Sequence, residues 1–319
     1  MSKRFYIALV FGLCLFSVQT YKTEAAYKYY RTITVTSTLT VASGTQSNFP
    51  VLFNTSSTWL MTSSTDSVNG RIQNVKGLDL VFTTSTPAAS GSNWDCSSIK
   101  APHEIERYTS STGEMVAWFL GSTMAASQVY YVCYDDPTIT TTQEASSTVW
   151  DSGAKGIWHH NTLNNTSTDS TSNKNNGALT NGVATSTSGV IDGSLNFDGV
   201  NDYVAITSNS TIDLTGNLTA SAWFKWGGGG TRNYILDKNT NKYHLSLNGG
   251  GLNNIPQFAL VGTGNCVPVG SAISAGVWHL ITGTYDGITC KLYVDGVLVA
   301  NPNATVTITT GGNLIIGCL

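Results

Sequence analysis

The 319-residue chain is poor in charge: 11% of its residues are charged, and 16 basic residues face 19 acidic ones for a net charge of −3. So sparse and slightly acidic a set lacks the basic stripe that neutralises phosphates, so no nucleic-acid partner is expected. Beyond the extreme N-terminus no apolar run is long enough to cross a bilayer. No later segment keeps a 3.6-residue apolar period, so helices have little to build on. The six cysteines contain no CxxC pair, which argues against a zinc ribbon or a thioredoxin-like site. There is no GxSxG elbow for a serine nucleophile. His103-Glu104-Ile105-Glu106-Arg107 starts like a metalloprotease HExxH but has Arg107 where the second ligand belongs. Only His159 and His160 are adjacent among the five histidines, and neighbours on a strand point to opposite faces. From residue 151 to 319 there is no glutamate at all. Hydrolysis of a glycosidic bond needs a carboxyl pair, and four of the nine aspartates there, among them Asp198, Asp286 and Asp295, sit before glycine as turn formers.

What is present is apolar, hydroxylic and glycine-rich. Hydrophobic residues make up 41% of the chain, enough for buried cores, and 32 glycines punctuate it. Lys3 and Arg4 followed by the apolar run Phe5 to Val18, with Thr23-Glu24-Ala25 as a cleavage site, read as an export signal over residues 1–25. No transmembrane span is then expected after signal cleavage, and the expected location is secreted or cell-surface. Leu13 before Cys14 does not suit lipid attachment. An oxidising compartment permits disulfides. Cys96 with Cys133 and Cys266 with Cys290 are the natural local pairs, with free buried thiols as the alternative.

Arg31 to Thr38 alternates Ile33 and Val35 with threonine, the period of a half-buried strand. Val129 to Tyr134, Leu218 to Trp226, Tyr234 to Asp237, Tyr243 to Leu247, Trp278 to Tyr285 and Leu314 to Ile316 are similar. Asn69-Gly70, Asp286-Gly287 and Asp295-Gly296 separate such runs as turns. The pattern predicts an all-β protein: a β-sandwich-like domain over 26–136, a Thr/Ser-rich linker over 137–150 and a second β domain over 151–319. Glu104 and Glu106 share a face if their segment is a strand, either as a working pair or merely as an exposed polar face.

The second half resembles the laminin-G-like jelly rolls of the concanavalin A-like lectin/glucanase superfamily. The resemblance rests on Gly193-Ser194-Leu195-Asn196-Phe197-Asp198-Gly199, Asp202-Tyr203-Val204, the run Leu218 to Lys225, Trp278-His279, Tyr285-Asp286-Gly287 and the run Leu292 to Gly296. The first half, with Tyr30-Arg31, Asn48 to Val51, Leu78 to Phe82 and Pro102 to Glu106, is similar to a bacterial secreted module known only as a domain of unknown function. Family jelly rolls continue past a strand like Leu314 to Gly317, so the resemblance implies a missing closing strand, an unpaired sheet edge and a truncated product.

The resemblance further implies a structural calcium near an oxygen-rich loop. Asp198 and Asp202 are the expected ligands with Asp169 as a third, unless these are ordinary Asx turns. For a glycan, Trp226, Arg232 and Tyr234, which flank the run Gly227 to Gly230, are the candidate contacts, edge packing being the alternative. Trp223 lies within a strand motif and is read as core. The expectation is a secreted, non-catalytic binding or adhesion protein whose partner is a polysaccharide or cell-surface glycan. The alternatives are a structural envelope or appendage component that partners other envelope proteins, or an accessory module of a larger polysaccharide-active enzyme.

Overall fold

Runs that alternate threonine or serine with a β-branched residue bury every second side chain, which suits the face of a sheet. The computed structural model describes residues 20–22, 27–35, 46–91, 93–161, 165–229, 232–238, 242–248 and 254–318. The fold is nearly all-β, with 48% strand and 3% helix. Most of the export signal, Cys14 and the cleavage site Thr23-Glu24-Ala25 lie outside the described residues. The described chain divides into two units, one running to Ala154 and including Ser170–Ser172, the other holding Lys155–Asp169 and Asn173 onward.

In the N-terminal unit the strands Thr20–Lys22, Tyr29–Thr34, Val129–Tyr134, Val81–Thr83 and Lys100–Ala101 lie side by side in that order. A second sheet joins Gln46–Ser56, Glu114–Met124 and His103–Thr109. Ile33, Phe82, Tyr130 and Val132 of the first sheet meet Val51, Phe53, Ala117 and Phe119 of the second in one buried cluster. Phe82 lies parallel to Phe119 at 4.7 Å between ring centroids. Cys96 and Cys133, both fully buried, form a disulfide.

The stretch 137–150, read from sequence as a linker, is packed on this unit. The Glu144 carboxylate accepts the Ile105 amide (2.7 Å), and the Ala145 amide donates to the His103 carbonyl (2.9 Å). A single helical turn, Ser146–Val149, then buries Val149. Contacts divide the chain at Ala154 and Lys155, a few residues beyond the boundary read at 150.

The C-terminal unit has a four-stranded antiparallel sheet in the order Leu218–Lys225, Trp278–Tyr285, Cys290–Val294, Val297–Ala300. Its eight-stranded sheet runs Thr166–Ser167, Gly177–Thr180, Tyr203–Ile206, Leu314–Cys318, Arg232–Lys238, Tyr243–Asn248, Ile255–Gly262, Gly264–Cys266. Leu218, Ala220, Ile281, Tyr285 and Leu292 from the smaller sheet pack with Val204, Ile206, Tyr243, Leu245, Phe258 and Leu314 from the larger. The fit is close: a Cβ on Gly283 would lie 2.2 Å from Phe258. Cys266 and Cys290, one from each sheet, form the second disulfide. At the edge of the core, Lys238 is 1% exposed and ion-paired to Asp213 at 2.7 Å. The hydrogen bond from Lys238 holds the Asp213 carboxyl below the usual carboxylate range.

Leu314–Cys318 is the fourth strand of eight, bonded to Tyr203–Ile206 on one side and Arg232–Lys238 on the other. The outer strands of that sheet are Thr166–Ser167 and Gly264–Cys266.

Candidate functional site

Strand Leu218–Lys225 reads Leu-Thr-Ala-Ser-Ala-Trp-Phe-Lys. Side chains alternate across a sheet, so Leu218, Ala220 and Phe224 share one face and Thr219, Ser221, Trp223 and Lys225 the other. The first set packs in the core. Trp223 therefore points away from it, which corrects the reading of Trp223 as core. The threonine, serine and lysine in its row were the sequence signal for an outward face.

The ladder register extends this face. Ser221 stands opposite Thr282, Trp223 opposite Leu280 and Lys225 opposite Trp278. Thr282 is in turn opposite Tyr293, and Tyr293 opposite Leu298. Directly opposed residues share a face. The outer surface of the four-stranded sheet thus carries three partly exposed aromatic side chains, Trp223, Trp278 and Tyr293. Among them lie hydroxyls and a cation: Ser221 Oγ and Thr282 Oγ1 are 2.7 Å apart, and Lys225 Nζ is 5.3 Å from the Trp278 ring centroid. Trp223 Nε1 is buried and has no hydrogen-bond partner among the described residues. Trp278 and Tyr293 were not singled out as site residues from sequence, although their parity relative to buried Tyr285 and Cys290 would have placed them here.

Of the three residues expected to meet a glycan, Trp226 and Tyr234 make separate contacts. Trp226, one position past the strand, donates its indole N–H to the Gly229 carbonyl (3.2 Å). The Asn233 amide donates to the same carbonyl (3.3 Å), so the glycine run is tied to the rim of the sandwich. Tyr234 is the next residue along the strand and projects to the opposite face from Asn233, where its ring meets His244 edge-on at 5.3 Å. The backbone of Arg232 pairs with Asn248; the Arg232 side chain is outside what the structure describes.

The expected calcium ligands are likewise divided. Asp198 Oδ1 accepts the amides of Val200 (2.8 Å) and Asn201 (3.3 Å), and Asp202 Oδ2 accepts the Asp198 amide (3.1 Å). Asp202 Oδ1 is buried without a hydrogen-bond partner among the described residues. Asp169 spends its two oxygens on the amides of Ile157 (2.9 Å) and Asn175 (2.8 Å), pinning another loop. Among the described residues no three His, Cys, Asp or Glu side chains are grouped as a metal would require. The three carboxylates therefore do not supply one coordination shell. Asp286 also caps a turn, taking the Ile288 and Thr289 amides, and these bonds hold its carboxyl below the usual range.

In the N-terminal unit Glu104 and Glu106 do lie on a strand. Each carboxylate accepts an indole N–H: Glu104 from Trp150 (3.1 Å) and Glu106 from Trp118 (2.7 Å). The two indole rings are 5.3 Å apart. Neighbouring His103 is fully buried, and desolvation pushes its imidazole down to about 4.

Comparison with known proteins gives the fold of the C-terminal unit a name. Residues 197–319 match the family model of the concanavalin A-like lectin/glucanases superfamily. Three solved structures are similar at low identity. The botulinum neurotoxin serotype C1 binding domain is 17% identical over 49% of this chain and 40% of that one, with a TM-score of 0.38. Domain 4 of AbnA, an extracellular arabinanase from Geobacillus stearothermophilus solved with arabinotriose, is 19% identical over 47% of this chain and 77% of that one, TM-score 0.39. Domains LG4-5 of the mouse laminin alpha1 chain are 13% identical over 64% of this chain and 43% of that one, TM-score 0.32. The chain thus spans less than half the length of the neurotoxin and laminin structures it matches. No curated protein matches it.

Proposed function

We propose that the protein is a secreted, non-catalytic carbohydrate-binding protein that holds a glycan against the outer face of its four-stranded sheet. The observation that carries this reading is the turning of Trp223, Trp278 and Tyr293 away from the core, with Ser221 and Lys225 among them and the buried Thr282 hydroxyl bonded to Ser221 beneath. Flat rings offer apolar area to the C–H faces of sugar rings, while hydroxyls and an ammonium meet sugar hydroxyls. A strand face rich in aromatics that the core does not use suits a recognition surface. The match to a superfamily of lectins and glucanases agrees with it. Recognition rather than cleavage is supported by the lack of glutamate after residue 151, by the use of Asp198 and Asp286 as turn caps, and by the engagement of Asp295 with the Leu280 amide and His279. Export is supported by the N-terminal apolar run and by two disulfides, which persist in oxidising compartments.

Affinity electrophoresis through gels containing soluble polysaccharides tests the proposal. At least one polysaccharide is expected to retard the protein, and Trp278→Ala is expected to restore most of its free mobility. Equal retardation of wild type and variant by every retarding polysaccharide would refute the assignment of the face.

A second reading, assembly into an envelope or appendage, is favoured by one feature. Strand Val297–Ala300 ends the four-stranded sheet with Val297, Leu298 and Val299 at 65%, 45% and 39% exposure. Apolar edge strands pair readily with a further strand. Concentration-dependent self-association, abolished by Val299→Lys, is the outcome this reading requires.

A further inference from the structure

The N-terminal unit holds a cationic cluster that the proposed glycan face does not use. The chain has only five arginines. Two of them, Arg31 and Arg71, lie on one aromatic stack. Tyr29 and Tyr134 are stacked at 5.6 Å, and Trp59 meets Tyr134 at 4.5 Å. The Arg31 guanidinium covers the Trp59 ring at 4.8 Å, and that of Arg71 covers Tyr29 at 5.6 Å. Both arginines act on the buried Tyr134 phenol, whose pKa burial pushes up while the two cations pull it down.

Both side chains are held in place. Arg31 Nε donates to Tyr134 Oη at 2.9 Å. Trp59 and Tyr134 are buried, so the plane and the Nε edge of Arg31 are fixed. Arg71 donates Nη1 to the Gly70 carbonyl and Nη2 to that of Val68, both at 2.9 Å. The loop beneath is rigid: Asp66 caps Val68 and Asn69, and the backbone approaches so closely that a Cβ at Gly70 would lie 2.4 Å from the Thr62 carbonyl oxygen. The Arg71 amide is bonded to the Met61 carbonyl, next to the segment that carries Trp59.

Neither guanidinium has a carboxylate partner among the described residues. The nearby Asp135 is engaged elsewhere, with the Gln73 amide at 2.5 Å and Lys28 at 3.6 Å. Arg31 is partly exposed, and its two terminal amino groups make no hydrogen bond to a described residue. An end-on guanidinium with both amino groups available, its plane fixed by an indole, matches the two coplanar oxygens of a carboxylate. Asp66, in the loop beneath, offsets the charge of Arg71, whereas Arg31 presents its two amino groups to solvent with no described carboxylate against them.

We infer that Arg31, supported by Arg71 on the Trp59–Tyr134–Tyr29 stack, is a binding site for a carboxylate, supplied either as a free small acid or as the acid group of a uronic sugar. The site lies in the N-terminal unit and does not rest on the reading of the four-stranded sheet. The test titrates the full chain with acetate, galacturonate and, as a neutral control, galactose, following the five arginine Nε–Hε resonances by nuclear magnetic resonance. The Arg31 resonance, identified by its loss in Arg31→Lys, is expected to shift saturably with a carboxylate and not with galactose, and less as salt rises. Arg31→Gln is expected to weaken binding roughly ten- to a hundred-fold, the worth of a charge-assisted bidentate contact, with the backbone spectrum otherwise kept. Arg31→Lys, which keeps the charge but not the fork, should lose most of the affinity too. Galacturonate binding tighter than acetate would assign the sugar acid, and equal binding the free acid. No saturable shift with either carboxylate, equal response to galactose, or unchanged affinity in Arg31→Gln would overturn the site.

Discussion

Gly283→Ala probes how the two sheets of the C-terminal unit meet. Gly283 lies on the inner face of strand Trp278–Tyr285, directly over Phe258 of the larger sheet. A methyl group there would sit 2.2 Å from Phe258 Cγ and 2.8 Å from its Cβ. That is about 1.5 Å inside normal carbon contact at the nearer atom. Phe258 is fully buried, so the ring has little space to leave. Overpacking of this kind costs about 1–3 kcal/mol. Loss of glycine's freedom in the unfolded chain returns about 0.5–1 kcal/mol. The net expectation is a loss of about 1–2 kcal/mol, or a Tm lower by roughly 3–6 °C for a unit of this size. Phe258→Ala removes Cγ and Cδ2, the two nearest clashing atoms, so Gly283→Ala should cost much less in that background. Urea titrations of the four proteins, read by circular dichroism, would give a coupling of about 1 kcal/mol or more if the packing is right. Additive effects, or a neutral Gly283→Ala, would refute the placement of Gly283 over Phe258 and with it the facing of the two sheets.

Other expectations follow from single features. Cys96→Ser with Cys133→Ser should destabilise the N-terminal unit by about 3–4 kcal/mol, as closure of a loop of this length implies, and reduction of the wild type should lower the same melting transition. His103 is depressed to about 4 by burial, so between its ordinary value and pH 4 the unfolded chain binds the proton and the folded chain does not. Stability of the N-terminal unit should therefore fall by about 3 kcal/mol as pH drops through that window, and His103→Phe, which can pack edge-on to Phe82, should flatten the slope. Asp213 is held below its ordinary range, so its contribution is present above the unfolded pKa and lost as pH falls through the folded one; Asp213→Asn should remove that acid limb and destabilise at neutral pH by leaving buried Lys238 without its partner. Calcium at millimolar concentration should leave the melting temperature unchanged, because Asp169 is not grouped with Asp198 and Asp202; a rise of several degrees would mean that backbone oxygens complete a site at the Asp198–Asp202 loop.

Local pattern made much of this fold legible. The alternation in Arg31 to Thr38 and Leu218 to Trp226 gave strands, and the structure has Tyr29–Thr34 and Leu218–Lys225 there. The two disulfides joined the cysteines nearest in sequence. What failed was nonlocal. Leu314–Cys318 lies between strands far away in sequence, a placement that its own residues do not announce. Ile255–Gly262 begins Ile-Pro-Gln, which breaks the strand pattern, and Pro256 is nonetheless paired with Leu247. Tyr234 and Trp226 were grouped because they flank one loop, but a single step of strand alternation sends neighbouring side chains to opposite faces. Trp223 was assigned by residue type, whereas the polar company of Thr219, Ser221 and Lys225 marked its row as outward.

The central claim is that a glycan rests on the outer face of the four-stranded sheet. Hydrogen–deuterium exchange of the protein with and without a retarding polysaccharide tests it most directly. Binding should slow exchange in peptides covering 219–226, 278–284 and 291–298, and leave 243–248 unchanged. Protection confined to the glycine run after Trp226 and to strand Arg232–Lys238, with none at Trp223, Trp278 or Tyr293, would contradict it.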